Sequence, residues 1–380
     1  MPAVLVQDPV WFTYRRVIDD SLVFRLSDLN FDIQANGGYW QAGVSINANV
    51  AEAEDWIVNG LGRDVTIYDE SLSIVWKGFV DSVNATVGPL QISRGPMLDV
   101  VNRLAIAYRT ITYNTNPPVG GKAKETAQGN NTLSQARYGI LTGTLSGGEG
   151  DEDSMDQARD MYLNGNAWPI TSITSSIGQG GEPSVSLSLK GYVHFLDKYP
   201  YVNLDATVVT PYVNLSSKIG DILDADPNAL FTDRSRISEN TWQVPDYEDG
   251  GKSGWALIKG MVMLGDANEN RHTFGVYGKQ QPVYGPVPTE VAYQQRMGDP
   301  GNWVRDVGGG YVSPWGVRPC RWLRIGDFLG ASAAAPLEED PRHVFIESVS
   351  YQAPWGLSIN GGKVSRLDQR LAKLGIKGAA

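Results

Sequence analysis

The run Val65-Thr66-Ile67-Tyr68, the break Asp69-Glu70-Ser71 and the run Leu72-Ser73-Ile74-Val75-Trp76-Lys77-Gly78-Phe79-Val80 decide the fold class. Both runs are rich in β-branched and aromatic residues, and turn formers separate them, so the segment reads as a hairpin. The same character recurs on either side, from Ser21 to Tyr113, in Val23-Phe24-Arg25-Leu26, Gly43-Val44-Ser45-Ile46 and Leu90-Gln91-Ile92. Gly95 and Pro96 then suit the cap and first position of a helix. Its residues Met97, Val100, Val101 and Leu104 share one face at the spacing i, i+3, i+4, i+7. Strands closed by one short helix predict a small barrel or sandwich.

Between Asn114 and Pro183 the composition turns to Gly, Asn, Ser and Thr, with Pro117-Pro118, Gly120-Gly121 and Gly147-Gly148 as breakers. A boundary and a long excursion are expected there. Within it Asp151, Glu152 and Asp153 precede Met155, Ala158 and Tyr162, which places carboxylates where a helix N-terminus favours them and predicts a short helix. Ser184 to Leu189 alternates strictly and reads as a strand. Leu215, Ile219, Ile222 and Leu223 form a helical stripe behind Asn214, and Trp255, Ile258, Met261 and Val262 form another that Gly265 stops.

His272 to Tyr277 and Val344 to Tyr351 return to strand character. Val364, Leu367, Leu371 and Leu374, with Ser365 as cap and Gly375 beyond, predict a terminal helix. Residues 298–342 hold many Gly and Pro around Trp303, Trp315 and Trp322 and end in Glu338-Glu339-Asp340, so irregular connections are expected. The expected class is α+β and β-rich, with small β-barrel domains, a helix-bearing α+β segment and long Gly/Pro-rich loops. Four segments follow: 1–113, an N-terminal β-barrel-like domain; 114–183, the Gly/Asn-rich excursion; 184–300, an α+β segment; and 301–380, a Trp-rich loop, strand and C-terminal helix. A similarity between Tyr68–Gly78 and Tyr277–Gly285 leaves room for a second barrel in the third segment.

Composition bounds the chemistry. A chain of 380 residues, 42% hydrophobic, has material for two or three domains with cores and is not disordered. Acidic residues outnumber basic ones, 42 to 32, for a net charge of -10, which disfavours coating of duplex nucleic acid or anionic membrane by the whole molecule. The single cysteine, Cys320, leaves no internal disulfide framework and no multi-cysteine zinc site. His194, His272 and His343 lie far apart in sequence. Eleven Trp, seventeen Tyr and 43 Gly indicate turns and aromatic contact surfaces. Neither a secretion signal at Met1–Phe12 nor an apolar run of about 18 residues is readable.

Motifs that carry chemistry fail one by one. Gly251-Lys252-Ser253 resembles the end of a phosphate loop, but Asp246 stands where its first glycine belongs. Asp224-Ala-Asp226-Pro-Asn228 and Asp266-Ala-Asn268-Glu-Asn270 imitate the start of a calcium loop without its turning Gly or closing Glu, so solvated turns are expected. Arg318 and Arg321 flank Cys320 and would favour its thiolate, but a lone cysteine reads rather as a small buried filler. His194 reads as a packed or interface histidine. The carboxylates Asp19-Asp20, Asp205, Asp246 with Glu248, and Glu338-Glu339-Asp340 are candidate pairs for glycoside hydrolysis, and the tryptophans are candidate sugar platforms or core anchors. Arg15-Arg16 is too short for a nucleic-acid patch.

Trp76-Lys77-Gly78-Phe79-Val80-Asp81-Ser82-Val83, followed by Gly95-Pro96-Met97-Leu98-Asp99-Val100-Val101-Asn102-Arg103-Leu104, resembles the first β-barrel of tail-tip hub proteins of tailed bacteriophages. It also resembles the virion minor tail proteins of long-tailed phages. Asn131-Thr132-Leu133-Ser134-Gln135-Ala136-Arg137-Tyr138-Gly139 and Pro314-Trp315-Gly316-Val317-Arg318-Pro319 point the same way.

The resemblance implies a structural baseplate hub subunit in the virion, assembled in the host bacterial cytoplasm. It implies a ring, commonly a trimer with two barrels per subunit imitating sixfold symmetry, that joins the tail tube to the distal tip. Partners would be copies of itself and tail-tube, distal-tail, tip or fibre proteins, with genome DNA passing the lumen without specific binding. A net negative charge suits such a lumen, because cationic walls hold phosphates.

On this reading the chain is not an enzyme and has no catalytic, cofactor-binding or metal-binding residue; its association surfaces would be 114–150 and 301–335. No lysozyme-like or peptidase segment is recognised, so a cell-wall-degrading role is not carried over. The alternatives are a carbohydrate-binding or carbohydrate-cleaving host-recognition protein and a soluble enzyme with a diffuse active site.

Overall fold

The computed structural model describes residues 3–7, 15–16, 26–69, 73–112, 119–175, 181–203, 212–246, 251–296, 298–299, 303–326, 342–353, 356–362 and 373. Strands β1 (Ala3–Gln7), β2 (Arg15–Arg16), β3 (Leu26–Gln34) and β4 (Gly37–Asn47) precede helix α1 (Val50–Asn59). The helix starts at a reciprocal cap: the Asn49 side chain accepts from the Glu52 N–H and the Glu52 carboxylate from the Asn49 N–H, each at 2.9 Å. Next come β5 (Asp64–Tyr68), β6 (Ile74–Gly88) and β7 (Leu90–Arg94). The expected hairpin is present as β5–β6, with Val65 opposite Gly78 and Ile67 opposite Trp76.

The helix expected from Met97 to Leu104 is absent. Met97–Asp99 make one tight turn, and Arg103 already begins β8 (Arg103–Thr112). Long-range partners take the backbone donors that a helix would use internally. Leu98 N–H goes to the buried Asp81 carboxylate at 2.9 Å, Val101 N–H to the Asn166 carbonyl at 2.9 Å, and Asn102 N–H to the Leu141 carbonyl at 3.0 Å.

Much of the stretch read as an excursion is regular structure. Strand β8 pairs with β9 (Val119–Glu125), β10 (Gly129–Asn130) and, in parallel, β11 (Thr142–Gly150), reached through helix α2 (Thr132–Tyr138). Helix α3 (Glu152–Asn166) starts at Asp151, which accepts from Ser154 N–H as the acidic cluster predicts, and Leu163 seals Leu104 and Ile106. Then come β12 (Thr171–Ser175) and β13 (Gly181–Lys190).

The remaining elements are β14 (Tyr212–Asn214), α4 (Leu215–Asp224), β15 (Arg236–Ile237), β16 (Gln243–Pro245), α5 (Gly254–Val262), β17 (His272–Tyr277) and β18 (Gln281–Pro286). They continue with β19 (Val291–Gln295), β20 (Val304–Asp306), β21 (Tyr311–Val312), β22 (Trp322–Ile325), β23 (His343–Gln352) and β24 (Gly356–Gly362). Both helical stripes and both late strands read from the sequence are present. The terminal helix expected on Val364, Leu367, Leu371 and Leu374 lies outside the described residues.

Eight strands pair antiparallel in the order β12–β7–β6–β13–β4–β3–β23–β24. Among the described residues no pairing joins β12 to β24, so this sheet is open where a small closed barrel was expected. All four expected segments supply strands to it, so the boundaries at 113, 183 and 300 do not separate sheets. One face is the core: Leu29, Val44, Leu187 and Val83 lie in a single cross-strand row, and α1, α4 and α5 contribute Trp56, Ile219 and Ile258 to the same cluster.

Candidate functional surface

Directly paired residues of antiparallel strands point to the same face, so the register defines what the other side presents. Thr174, Gln91, Thr86, Ser184 and Asn47 form one transverse row. Ser172, Ser93, Asn84, Ser186, Ser45 and Asp28 form the next. Ser82, Ser188, Gly43, Asn30 and Gln352 make a third, and Lys190, Gln41, Asp32, Ser350 and Ser358 a fourth.

The residues named in these rows include no apolar side chain, and their only charges are Asp28, Asp32 and Lys190; past Lys190 the register shifts and its β6 partner is the buried Phe79. The side chains bond to one another: Gln41 Nε2 donates to Asp32 Oδ2 at 2.7 Å, and Ser45 and Ser186 hydroxyls meet at 3.1 Å. Lys190 Nζ reaches Gln41 Oε1 at 3.4 Å. Toward β24 the face dips into a shallow depression of about 400 Å³ lined by Asn30, Asp32, Ser350, Gln352 and Ser358 together with Tyr351, Gly356 and Leu357. This surface offers hydroxyls and amides in ladders, with no nucleophile set against a base.

The two edges of the sheet are alike. β12 reads Thr-Ser-Ile-Thr-Ser and β24 reads Gly-Leu-Ser-Ile-Asn-Gly-Gly, neither with a charge or a proline, the usual guards of an open edge. The core-face row Ile46, Val185, Ala85, Ile92 and Ile173 starts buried and ends on β12, where Ile173 is 64% exposed. Leu357 and Ile359 of β24 lie on that same core side, next to Tyr351 and Val349.

The structure disperses the residues weighed for chemistry. His194 Nε2 lies 3.0 Å from the Trp40 carbonyl and its ring packs on Trp40; burial lowers its pKa to about 4. His272 stacks on Tyr284, and His343 opens β23. Cys320 is packed, as its reading as a small filler has it: burial outweighs the lowering by Thr273, Arg321 and Arg271 and raises the thiol pKa, and Sγ points at the Ala35 carbonyl at 3.4 Å.

Gly251-Lys252-Ser253 leads into α5, where Ser253 Oγ accepts from Ala256 N–H at 3.1 Å. The calcium-like segments are self-bonded turns. Asp226 accepts from Asn228 and Leu230 N–H, and Asp266 from Asn268 and Asn270 N–H.

Asp246 is paired with Lys218, while Asp19, Asp20, Asp205, Glu248 and Glu338-Glu339-Asp340 lie outside the described residues. Arg15 and Arg16 form β2, against β1. Among the described residues no three His, Cys, Asp or Glu side chains converge as metal ligands. Trp56, Trp76, Trp255, Trp315 and Trp322 are core, whereas Trp168 is exposed.

The polar rows were missed in the sequence, although the alternation at Ser184–Leu189 signals one strand of them. No family model matches the chain, and no curated protein matches it.

Proposed function

We propose that this chain is a structural subunit of a bacteriophage tail-tip or baseplate hub, working as a ring that joins the tail tube to the distal tip. The observation that carries this reading is the eight-stranded face of polar side chains, exposed or half-buried among the described residues. Such a face suits a lumen wall: it is wetted, nearly uncharged and already bonded to itself, so it offers a passing polyanion little to hold. The unguarded edges support self-association. Pairing β12 of one copy with β24 of the next would extend the sheet with polar Ser172 and Thr174 on the side of Ser358 and Asn360, and would cover Ile173 beside Leu357 and Ile359. A contact between two different edges is heterologous and closes into a ring when the rotation allows. Three such sheets joined edge to edge run about 115 Å around, a circle about 37 Å across at the backbone, wide enough for a DNA duplex.

The test is native mass measurement of the full chain across concentration. Closed oligomers, with a trimer favoured, are expected, and Ile173→Lys should shift them to monomer while leaving the fold intact by circular dichroism. A wild-type chain that stays monomeric at high concentration and cleaves glycans would overturn this reading in favour of the host-recognition alternative.

A further inference from the structure

Beside α4 lies a polar cluster that the proposed surface does not use. Lys218, in the first turns of α4, is almost fully buried among Leu215, Ile219 and Ile222. Its Nζ donates to both the backbone oxygen and Oδ1 of Asp246, the latter at 3.2 Å, and sits 4.8 Å above the Tyr201 ring. Asn203 Nδ2 donates to the same two oxygens, each at 3.1 Å. A primary amine and a carboxamide thus share one aspartate beside an aromatic ring, with Lys218 buried and Asn203 and Asp246 half-buried. Two donors on one pair of acceptors gather the amine and the carboxamide around the same aspartate.

We propose that Lys218 and Asn203 form an intramolecular isopeptide bond, with Asp246 as the proton carrier. Within the ion pair one ammonium proton passes to the Asp246 carboxylate, leaving a neutral amine. Nζ then attacks Cγ of Asn203. The Nζ–Cγ bond forms and the Cγ–Nδ2 bond breaks as the departing nitrogen takes the carboxyl proton and the second proton shed by Nζ. An ammonium ion leaves, Asp246 is again a carboxylate, and the products are a secondary amide and one ammonium, so atoms and charge balance without any oxidant or co-reactant. Holding the three groups together supplies the proximity that this otherwise slow exchange needs. The product ties the segment before β14 to α4 in a chain whose single cysteine allows no internal disulfide.

The inference is independent of any role in a particle. Its test is the intact mass of the purified full chain under denaturing conditions. The wild-type chain should be lighter than its sequence by one ammonia, and a digest should contain the Asn203 peptide joined to the Lys218 peptide. Lys218→Arg and Asn203→Ala should each restore the full mass, and Asp246→Asn should leave most of the chain uncrosslinked. A wild-type chain at full sequence mass would overturn the proposal, as would a deficit that persists in Lys218→Arg, the mark of asparagine cyclisation elsewhere. Crosslinking at the wild-type level in Asp246→Asn would remove the carboxylate from the mechanism.

Discussion

In the central strands of the eight-stranded sheet apolar, buried side chains alternate with polar ones, as in the row Leu29, Val44, Leu187, Val83, whereas the four-stranded sheet of β8–β11 hides Leu104 and Ile106 under Leu163 of one helix and builds β11 from Thr-Gly-Thr-Leu-Ser-Gly-Gly-Glu-Gly. The first has a core that its central strands announce. The second holds a glycine-rich strand by parallel pairing to β8 and lets side chains from elsewhere fill the space: Met155 of α3 packs where Gly147 and Gly150 have no Cβ. Backbone pairing plus a neighbour's side chain can thus make a sheet out of sequence that reads as loop.

The comparison can be broken or sharpened by measurement. Trp76 is fully buried in the larger core, so Trp76→Ala should cost about 4 kcal/mol and lower the global denaturation midpoint. His194 also belongs to the larger body. Its pKa is lowered to about 4 from 6.5, so below pH 6.5 the unfolded chain takes up a proton that the folded chain refuses. Stability should be flat above about pH 6.5 and fall as the pH drops toward 4, by at most about 3 kcal/mol, and His194→Gln should remove that part of the slope.

Leu163→Ala should cost about 2 kcal/mol, with hydrogen-exchange protection lost in β8–β11 and kept in β4 and β13. Loss of protection throughout would mean the two sheets unfold as one unit. Asn49→Ala removes one half of the α1 cap and should cost about 1 kcal/mol, read as a small shift in the thermal midpoint.

The same contrast explains what was legible. The β5–β6 hairpin, β13, α3, α4 and α5 announce themselves because their apolar spacing matches the faces they bury. The pattern at Met97–Leu104 imitates a helix equally well, but Asp81, Leu141 and Asn166 capture its backbone from afar, and no local rule contains them. Helix α1 carried a readable signal, Asn49 three residues ahead of Glu52, that the strand pattern around it obscured. Cys320 reads as a small filler despite its arginine neighbours, and its burial beside Ala35, far away in sequence, raises its thiol pKa.

For the candidate surface, local order says that serine alternates with valine and leucine along β13. It does not say that β13 stands between β4 and β6, or that β23 lies beside β3.

By itself the amino-acid order determined which positions turn inward and which outward along each strand, because a side-chain period of two is written in neighbouring residues. Tertiary structure alone decided which strands adjoin, and therefore that scattered Ser, Thr, Asn and Gln form one continuous face whose edges, among the described residues, are open. The physical reason is that alternation sets the faces of a strand while leaving its partner free. The partner follows from burying all the apolar faces together, a condition on the whole chain.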